Sequence, residues 1–336
     1  MLTDNDLKKY DPSNMHKIYD MWPQIANTTY NSDIEPIHFD NIDHIVFAGM
    51  GGSGAIGDLF SSLLSKSDIH VSVVKGYLLP QTVDKNTLIV ATSVSGDTAE
   101  TLTVLNSTNN LDCNLIAFSS GGKMETFCKN NHTHFRKLDH IHSPRVSFCT
   151  YVYSILKTLN SILPITKNDV LESINELENI KNKISSNMLS DSNPALNLAT
   201  WVSGIPLIYF PYGLQSVATR FKSSIQENAK THAIIEDVVE ACHNGIVSWE
   251  KPSPVQPILL RGHDDYIKTK ERFDIVKDYF IENKIDFREI NSVSGNILTK
   301  MITLIYFSDY TSIYKAIMSK TDPSPVPSIR YIKDKI

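Results

Sequence analysis

No stretch of this sequence stays apolar for long. The longest runs, Ile45–Met50 and Ile205–Pro211, fall far short of the roughly 18 residues that a membrane-spanning helix needs, so no membrane partner is expected. Cysteine is scarce too. Cys113, Cys128, Cys149 and Cys242 are the only ones, and none stands in a CxxC pair. Four scattered cysteines in a chain of 336 residues argue against a disulfide framework. They read as buried or free thiols in a reducing compartment. Positive charge is in short supply: 32 Lys and Arg stand against 37 Asp and Glu, a net charge of −5. Such a surface has no general attraction for nucleic acid or anionic membrane. An anionic ligand would need a local site of backbone N–H groups, hydroxyls or a few placed cations. The first residues, Met1–Lys9, carry charge where a secretory signal carries an apolar core, so a cytoplasmic location is expected.

What is present is ordinary for a globular protein: 41% hydrophobic and 21% charged residues. The length suggests two domains, each able to bury its own core. After a helical segment at 13–29, a strand at His44–Gly49 leads into a helix at Ser53–Leu64. Strands at Ile69–Val74 and Thr87–Thr92, a helix at Thr98–Leu105, and strands at Asn114–Phe118 and His134–Leu138 follow. The stretch 150–193 is helical and charged, with Val170, Ile174, Leu177 and Ile180 at three- and four-residue steps, and reads as a bridge. The pattern then returns. Strands are expected at Pro206–Phe210, Ile246–Trp249, Pro257–Arg261 and Phe287–Ile290, and helices at Gln215–Ala229, Tyr266–Glu282 and Asn296–Lys320. Asp322–Pro327 holds three prolines and must be extended or turned. Strands alternating with helices imply βαβ units. The fold class is therefore α/β, with two halves that each hold a mainly parallel sheet, residues 1–152 and 153–336.

Two loops carry candidate chemistry. Gly49-Met50-Gly51-Gly52-Ser53-Gly54 fits GxGxxG between a strand and a helix. A dinucleotide-binding turn of this kind expects an acidic residue about 20 positions on. Val74-Lys75-Gly76 has none, although a lysine could face a 2′-phosphate, so that reading stays open. The physics is more general: glycines let N–H groups approach an anion at a helix N-terminus, and the same glycines also serve a tight turn without a ligand. The second loop, Thr92–Thr98, gathers Ser93, Ser95, Thr98 and Gly96 after the next strand. One hydroxyl is enough to cap a helix. Three at the C-terminal end of a parallel strand suit a phosphate. Asp97 fits this only if it points away.

Here a resemblance becomes specific. Ser93-x-Ser95-Gly96-x-Thr98 resembles the phosphate loop of sugar isomerase (SIS) domains, and the glycine loop resembles that of the bifunctional phosphoglucose/phosphomannose isomerases. Gln226-Glu227-Asn228-Ala229-Lys230, then His243-Asn244 and Trp249, are similar to that family's Glu-Asn-x-Lys motif, His-Asn pair and tryptophan. Pro144-Arg145 resembles its arginine loop, and Asp322–Val326 with Lys333 its C-terminal tail. Val94, Asp97 and Ser324 depart from the usual aromatic, Asn and Thr. The resemblance implies two three-layer αβα SIS domains. Phosphate would be bound by Gly52, Ser53, Ser93, Ser95 and Thr98. It implies an enediolate isomerisation of glucose 6-phosphate and fructose 6-phosphate, and of mannose 6-phosphate, as in glycolysis and gluconeogenesis.

One carboxylate can take a proton from C2 and return it to C1 if its pKa is workable. By resemblance Glu227 is that base and lies at the junction of the halves. His243 serves ring opening and comes from the neighbouring subunit of a homodimer. Arg145 steadies the enediolate oxygens, and Lys333 assists near the ring oxygen. No metal and no redox cofactor are implied. Without the motif, Glu227 would read as a solvated surface residue, His243 as a satisfied loop histidine, Arg145 as a surface cation and Lys333 as a frayed-terminus charge.

Cys128, His132, His134, His140 and His142 form a dense cluster, but their spacing matches no common zinc site, and surface histidines around a short strand are expected. Two other functional readings compete. One is a non-catalytic phosphosugar-binding SIS protein, which would keep the hydroxyl loop and lack the base. The other is a dinucleotide-dependent oxidoreductase, which Lys75 and the hydroxyl loop disfavour.

Overall fold

The computed structural model describes residues 2–335. Helices α1 (Asp4–Tyr10), α2 (Met15–Asp20) and α3 (Trp22–Tyr30) precede the first sheet. That sheet is built from β1 (His44–Ala48), β2 (His70–Val74), β3 (Thr87–Ser93), β4 (Asn114–Ser119) and β5 (His134–Lys137). Between them run α4 (Gly51–Leu63), α5 (Ala99–Thr108) and α6 (Gly122–Asn130), and after them α7 (Phe148–Thr158). Helix α8 (Lys167–Ile184) and α9 (Pro194–Trp201) lead to the second sheet. Its elements are β6 (Ile205–Phe210), α10 (Gln215–Ala229), β7 (Ile234–Asp237), α11 (Val238–Ala241), β8 (Val255–Arg261), α12 (Ile267–Glu282) and β9 (Arg288–Asn291). The long α13 (Ile297–Met318) and the short α14 (Pro327–Lys333) close the chain.

The first sheet runs β2-β1-β3-β4-β5, and every neighbouring pair is parallel. A parallel sheet of this kind is buried on both faces, which explains the near-continuous apolar runs of β1 and β3. Alternation along the strands sorts the two faces. Val46, Ile89, Ala91, Leu115 and Ala117 pack with Leu105 of α5 and Met124 and Cys128 of α6. On the other face Phe47 stacks on Phe60 of α4 at 5.1 Å, and Gly57 leaves room for Phe47 and Val73. Trp22 of α3 reaches α7 there, stacking on Phe148 at 6.2 Å while its indole N–H donates to the Val146 carbonyl at 3.3 Å.

The second sheet runs β7-β6-β8-β9, again wholly parallel. Leu207, Tyr209 and Leu259 pack with Val238 and Ala241 of α11 and Phe273, Val276 and Phe280 of α12. Two α/β domains with parallel sheets are therefore present, as the sequence leads one to expect.

Two points of the sequence reading are corrected. Ile246–Trp249 is no strand: residues Gly245–Glu250 form a 3-10 helix that begins where Asn244 accepts the Gly245 N–H. Trp249 is held there by its N–H to the Tyr209 hydroxyl at 2.8 Å and by edge contact with Phe280 at 5.3 Å. The strand that pairs with β6 is β7, Ile234–Asp237, which the sequence reading does not find. The tail at 322–326 is turned and extended, as its prolines require, and Pro327 then opens α14 in the first helical turn, where proline is tolerated.

The chain divides into two compact units, Trp22–Ile174 and Met1–Met21 with Asn175–Ile336. This differs from a boundary at 152/153, and hydrogen bonds give the reason. Tyr306 of α13 donates to the Tyr19 carbonyl at 2.6 Å, and Asp20 takes the Tyr310 hydroxyl together with the N–H of Ser186 at 3.1 Å. The opening helices are thus tied to the C-terminal unit. No helix among the described residues is long and apolar enough to cross a membrane.

Candidate active site

In an open parallel sheet, ligands bind outside the carboxyl ends of the strands at the point where the strand order reverses. In the first sheet that point lies between β1 and β3, whose following helices α4 and α5 go to opposite faces. Both loops singled out in the sequence leave from there.

The glycine loop is shaped by close approach. A Cβ on Gly52 would sit 3.0 Å from the Pro144 carbonyl and 3.1 Å from the Arg145 N, so glycine lets the arginine loop close against the start of α4. Arg145 is consequently buried, at 4% exposure, and is no surface cation. Ser53 is buried in the same first turn. Lys75 donates to Asp58 of α4 at 2.5 Å, and its stem packs against Gly54. That ion pair occupies the lysine which could have faced a dinucleotide 2′-phosphate.

The hydroxyl loop is held from within and from the next loop. The Ser93 and Thr98 hydroxyls lie 2.9 Å apart, and Ser93 also accepts the Gly96 N–H at 3.1 Å. Ser95 is exposed and accepts the Asp97 N–H at 3.2 Å. Gly96 has φ +75°, and a Cβ there would lie 1.9 Å from the Gly121 carbonyl oxygen. Its own carbonyl accepts the Met124 N–H at 2.9 Å, and the Val94 carbonyl accepts the Ser120 N–H at 3.1 Å. Asp97 turns aside: its Oδ1 accepts the Lys123 N–H at 3.0 Å, in the first turn of α6. A carboxylate is favoured at a helix N-terminus, so the charge that looked awkward for phosphate is committed elsewhere.

The same switch point in the second sheet, between β6 and β8, has different chemistry. The loop after β8 carries Asp264, which pairs with Lys300 at 2.6 Å, and Asp265, whose carboxylate accepts the Gly262 N–H at 2.8 Å. Two carboxylates repel phosphate. The loop after β8 thus places carboxylates where the N-terminal unit places hydroxyls.

Glu227 is half-buried in the last turn of α10. The face of α10 that carries Arg220, seven residues before Glu227, is bolted to α13. Arg220 forms a two-pronged pair with Asp309 at 3.2 and 2.7 Å, Ser224 donates to the same carboxylate at 2.5 Å, and Asn228 donates to Ser312 at 2.8 Å. These three sit at four-residue steps on one face of α10. Burial, the largest single effect on Arg220, works against its charge. Asp309 outweighs it together with Tyr19 and Glu227, so the guanidinium pKa ends above its ordinary value. This ladder escapes a reading by motif, because its partners are 84 to 89 residues apart.

His243 is exposed and follows α11. Lys333 is exposed in α14. Ser324 donates its N–H to Asp322 at 2.9 Å, which fixes the tail turn. Among the described residues no group of three or more His, Cys, Asp or Glu could hold a metal ion. His132, His134 and His140 are exposed.

Two family models match the chain: the SIS domain over residues 38–161, and the bacterial phospho-glucose isomerase C-terminal SIS domain over residues 191–336. A curated bifunctional phosphoglucose/phosphomannose isomerase from Caldicellulosiruptor bescii is 30% identical, covering 97% of this chain and 96% of that protein. The chain belongs to the bifunctional phosphoglucose/phosphomannose isomerase family. A D-glucosamine-6-phosphate 4-epimerase from Sulfolobus acidocaldarius is 26% identical over 73% of this chain and 77% of its own length. A crystal structure of a hypothetical protein from Thermus thermophilus superposes with a TM-score of 0.75 at 12% identity, over 98% of this chain and 92% of that one. At that identity the likeness bears on the fold.

Proposed function

We propose that this phosphosugar isomerase interconverts glucose 6-phosphate and fructose 6-phosphate, and mannose 6-phosphate and fructose 6-phosphate, by proton transfer through an enediolate. The observation that carries this reading is the hydroxyl loop Ser93–Thr98, pinned beside the glycine loop at the switch point with Asp97 turned to α6. Phosphate accepts from Ser93, Ser95, Thr98 and the first turn of α4 at Gly52 and Ser53. With the sugar so anchored, Glu227 takes the C2 proton of the open-chain aldose and delivers it to C1. The C2–H electron pair forms the C1–C2 double bond of the enediolate and then the new C1–H bond, while the proton of the C2 hydroxyl passes to O1 and O2 becomes the carbonyl oxygen. A carboxylate returning the same proton needs no metal for the transfer itself. Arg145 stabilises the charge that develops on the enediolate oxygens. His243 acts in ring opening as the donation of a second subunit in a homodimer, which its exposure permits, and Lys333 assists near the ring oxygen. The enzyme works in the cytoplasm on free sugar phosphates.

The test is a coupled assay started from fructose 6-phosphate, with glucose 6-phosphate and mannose 6-phosphate read separately. Both products are expected. Glucose 6-phosphate alone would remove the mannose half of the proposal. Neither product, with fructose 6-phosphate still bound, would favour the non-catalytic reading. A 4-epimer formed from glucosamine 6-phosphate in place of either product would move the chain toward its epimerase relative.

A further inference from the structure

We propose that Lys230 is a positioning residue, which clamps the helix turn carrying Glu227 to the C-terminal tail. The inference rests on the reading of Glu227 as the base. Lys230 ends α10 with φ 56° and ψ 33°, the left-handed conformation that favours glycine at this place. Lys284 and Lys320 take the same conformation after α12 and α13, so the backbone alone does not single out Lys230; its ammonium does. It donates to the Glu227 carbonyl at 2.5 Å and to the Pro323 carbonyl at 3.3 Å. A cation is favoured at a helix C-terminus, where carbonyls lack partners along the helix. Lys230 does more than cap, because its second acceptor belongs to the tail. That tail is fixed by the Asp322–Ser324 turn and continues into α14 with Lys333.

The end of α10 is thus gripped on two sides. Asn228, buried, ties it to α13 through Ser312, whose hydroxyl donates onward to the Asp309 carbonyl at 2.6 Å. Lys230 ties it to Pro323. Glu227 stands beside both ties in sequence, and its backbone carbonyl is itself one of the clamped atoms. A displacement of about 1 Å at a reacting group can cost on the order of 10²-fold in rate. Lys230 has no part in the proton transfer itself; it sets where Glu227 stands.

The experiment compares Lys230→Gly, Lys230→Arg, Glu227→Gln and the double variant Glu227→Gln/Lys230→Gly in the fructose 6-phosphate assay, with melting temperatures. Lys230→Gly keeps the left-handed turn without strain, so its melting temperature should equal or exceed that of wild type. Its kcat should fall roughly 10- to 100-fold with KM and the pH profile of kcat unchanged. Lys230→Arg, which still has donors for both carbonyls, should recover most of the loss. The double variant should be no slower than Glu227→Gln alone, because the clamp acts only through that carboxylate. A Lys230→Gly enzyme with wild-type kcat would overturn the proposal, as would losses that multiply in the double variant. Full activity in Glu227→Gln would instead remove the base assignment, and the inference with it.

Discussion

The buried pair between Arg220 and Asp309 sets up a quantitative test of what holds the C-terminal unit together. Asp309 is fully buried, Arg220 is 3% exposed, and the two share two hydrogen bonds while Ser224 adds a third to the carboxylate. In Asp309→Ala the guanidinium stays in the interior with its main counter-charge gone. Breaking a buried pair from one side typically costs about 3–5 kcal/mol. In a unit of this size each kcal/mol moves the melting temperature by about 2–4 °C, so a fall of roughly 6–20 °C is expected. Replacing both partners by apolar side chains of similar volume, as in Arg220→Met/Asp309→Leu, removes the stranded charge and should recover most of that loss. Thermal and urea unfolding of the two singles and the double form the cycle that isolates the coupling. A single substitution costing less than about 1 kcal/mol, far below the usual range for a stranded charge, would refute the reasoning. So would a double variant as unstable as the sum of the singles.

Two further outcomes follow from the N-terminal unit. Gly96→Ala places a methyl against the Gly121 carbonyl at a φ of +75°, so the hydroxyl loop must move; kcat/KM for fructose 6-phosphate should drop at least about tenfold, as misplaced binding groups generally cause, and an unchanged value would show that the loop does not hold the substrate. His44 is buried, and its pKa is lowered first by burial and then by the neighbouring His70, whose ring lies 4.8 Å away, against weaker opposing effects of Thr82, Asp43 and Asp84. A folded pKa below the unfolded value of about 6.5 means that the neutral ring contributes stability above that pH, which is lost as pH falls through the folded pKa. Urea midpoints should therefore decline from pH 7 toward pH 5 more steeply in wild type than in His44→Gln, and equal slopes would contradict the assignment.

The strand–glycine–helix unit at Gly49 and the hydroxyl loop at Ser93–Thr98 are legible in the sequence, because their chemistry is local and their partners lie within a few positions. Helix α10 is legible from end to end for the same reason. Asp97 is ambiguous there because its partner, the Lys123 N–H, lies 26 residues away. The Ile246–Trp249 stretch misleads because β-branched composition favours a strand, whereas Asn244 and the pull of Trp249 onto Tyr209 make it a 3-10 helix. Strand β7 is four residues long at a sheet edge, too short for its alternation to register. The attachment of α1 and α2 to the C-terminal unit depends on Tyr19 and Asp20 meeting Tyr306 and Tyr310, about 290 residues on. Arg145 reads as a functional cation only through resemblance; the reason for its burial, the missing Cβ of Gly52, lies in three dimensions.

The central claim is that Glu227 moves the proton. The most direct measurement is the exchange of solvent deuterium into C1 of fructose 6-phosphate by wild type and by Glu227→Gln, with binding of fructose 6-phosphate followed by calorimetry in both. Loss of a positioned general base should slow exchange by about 10²–10⁴-fold while the sugar phosphate still binds through the Ser93–Thr98 loop. Exchange at the wild-type rate in Glu227→Gln would contradict the account.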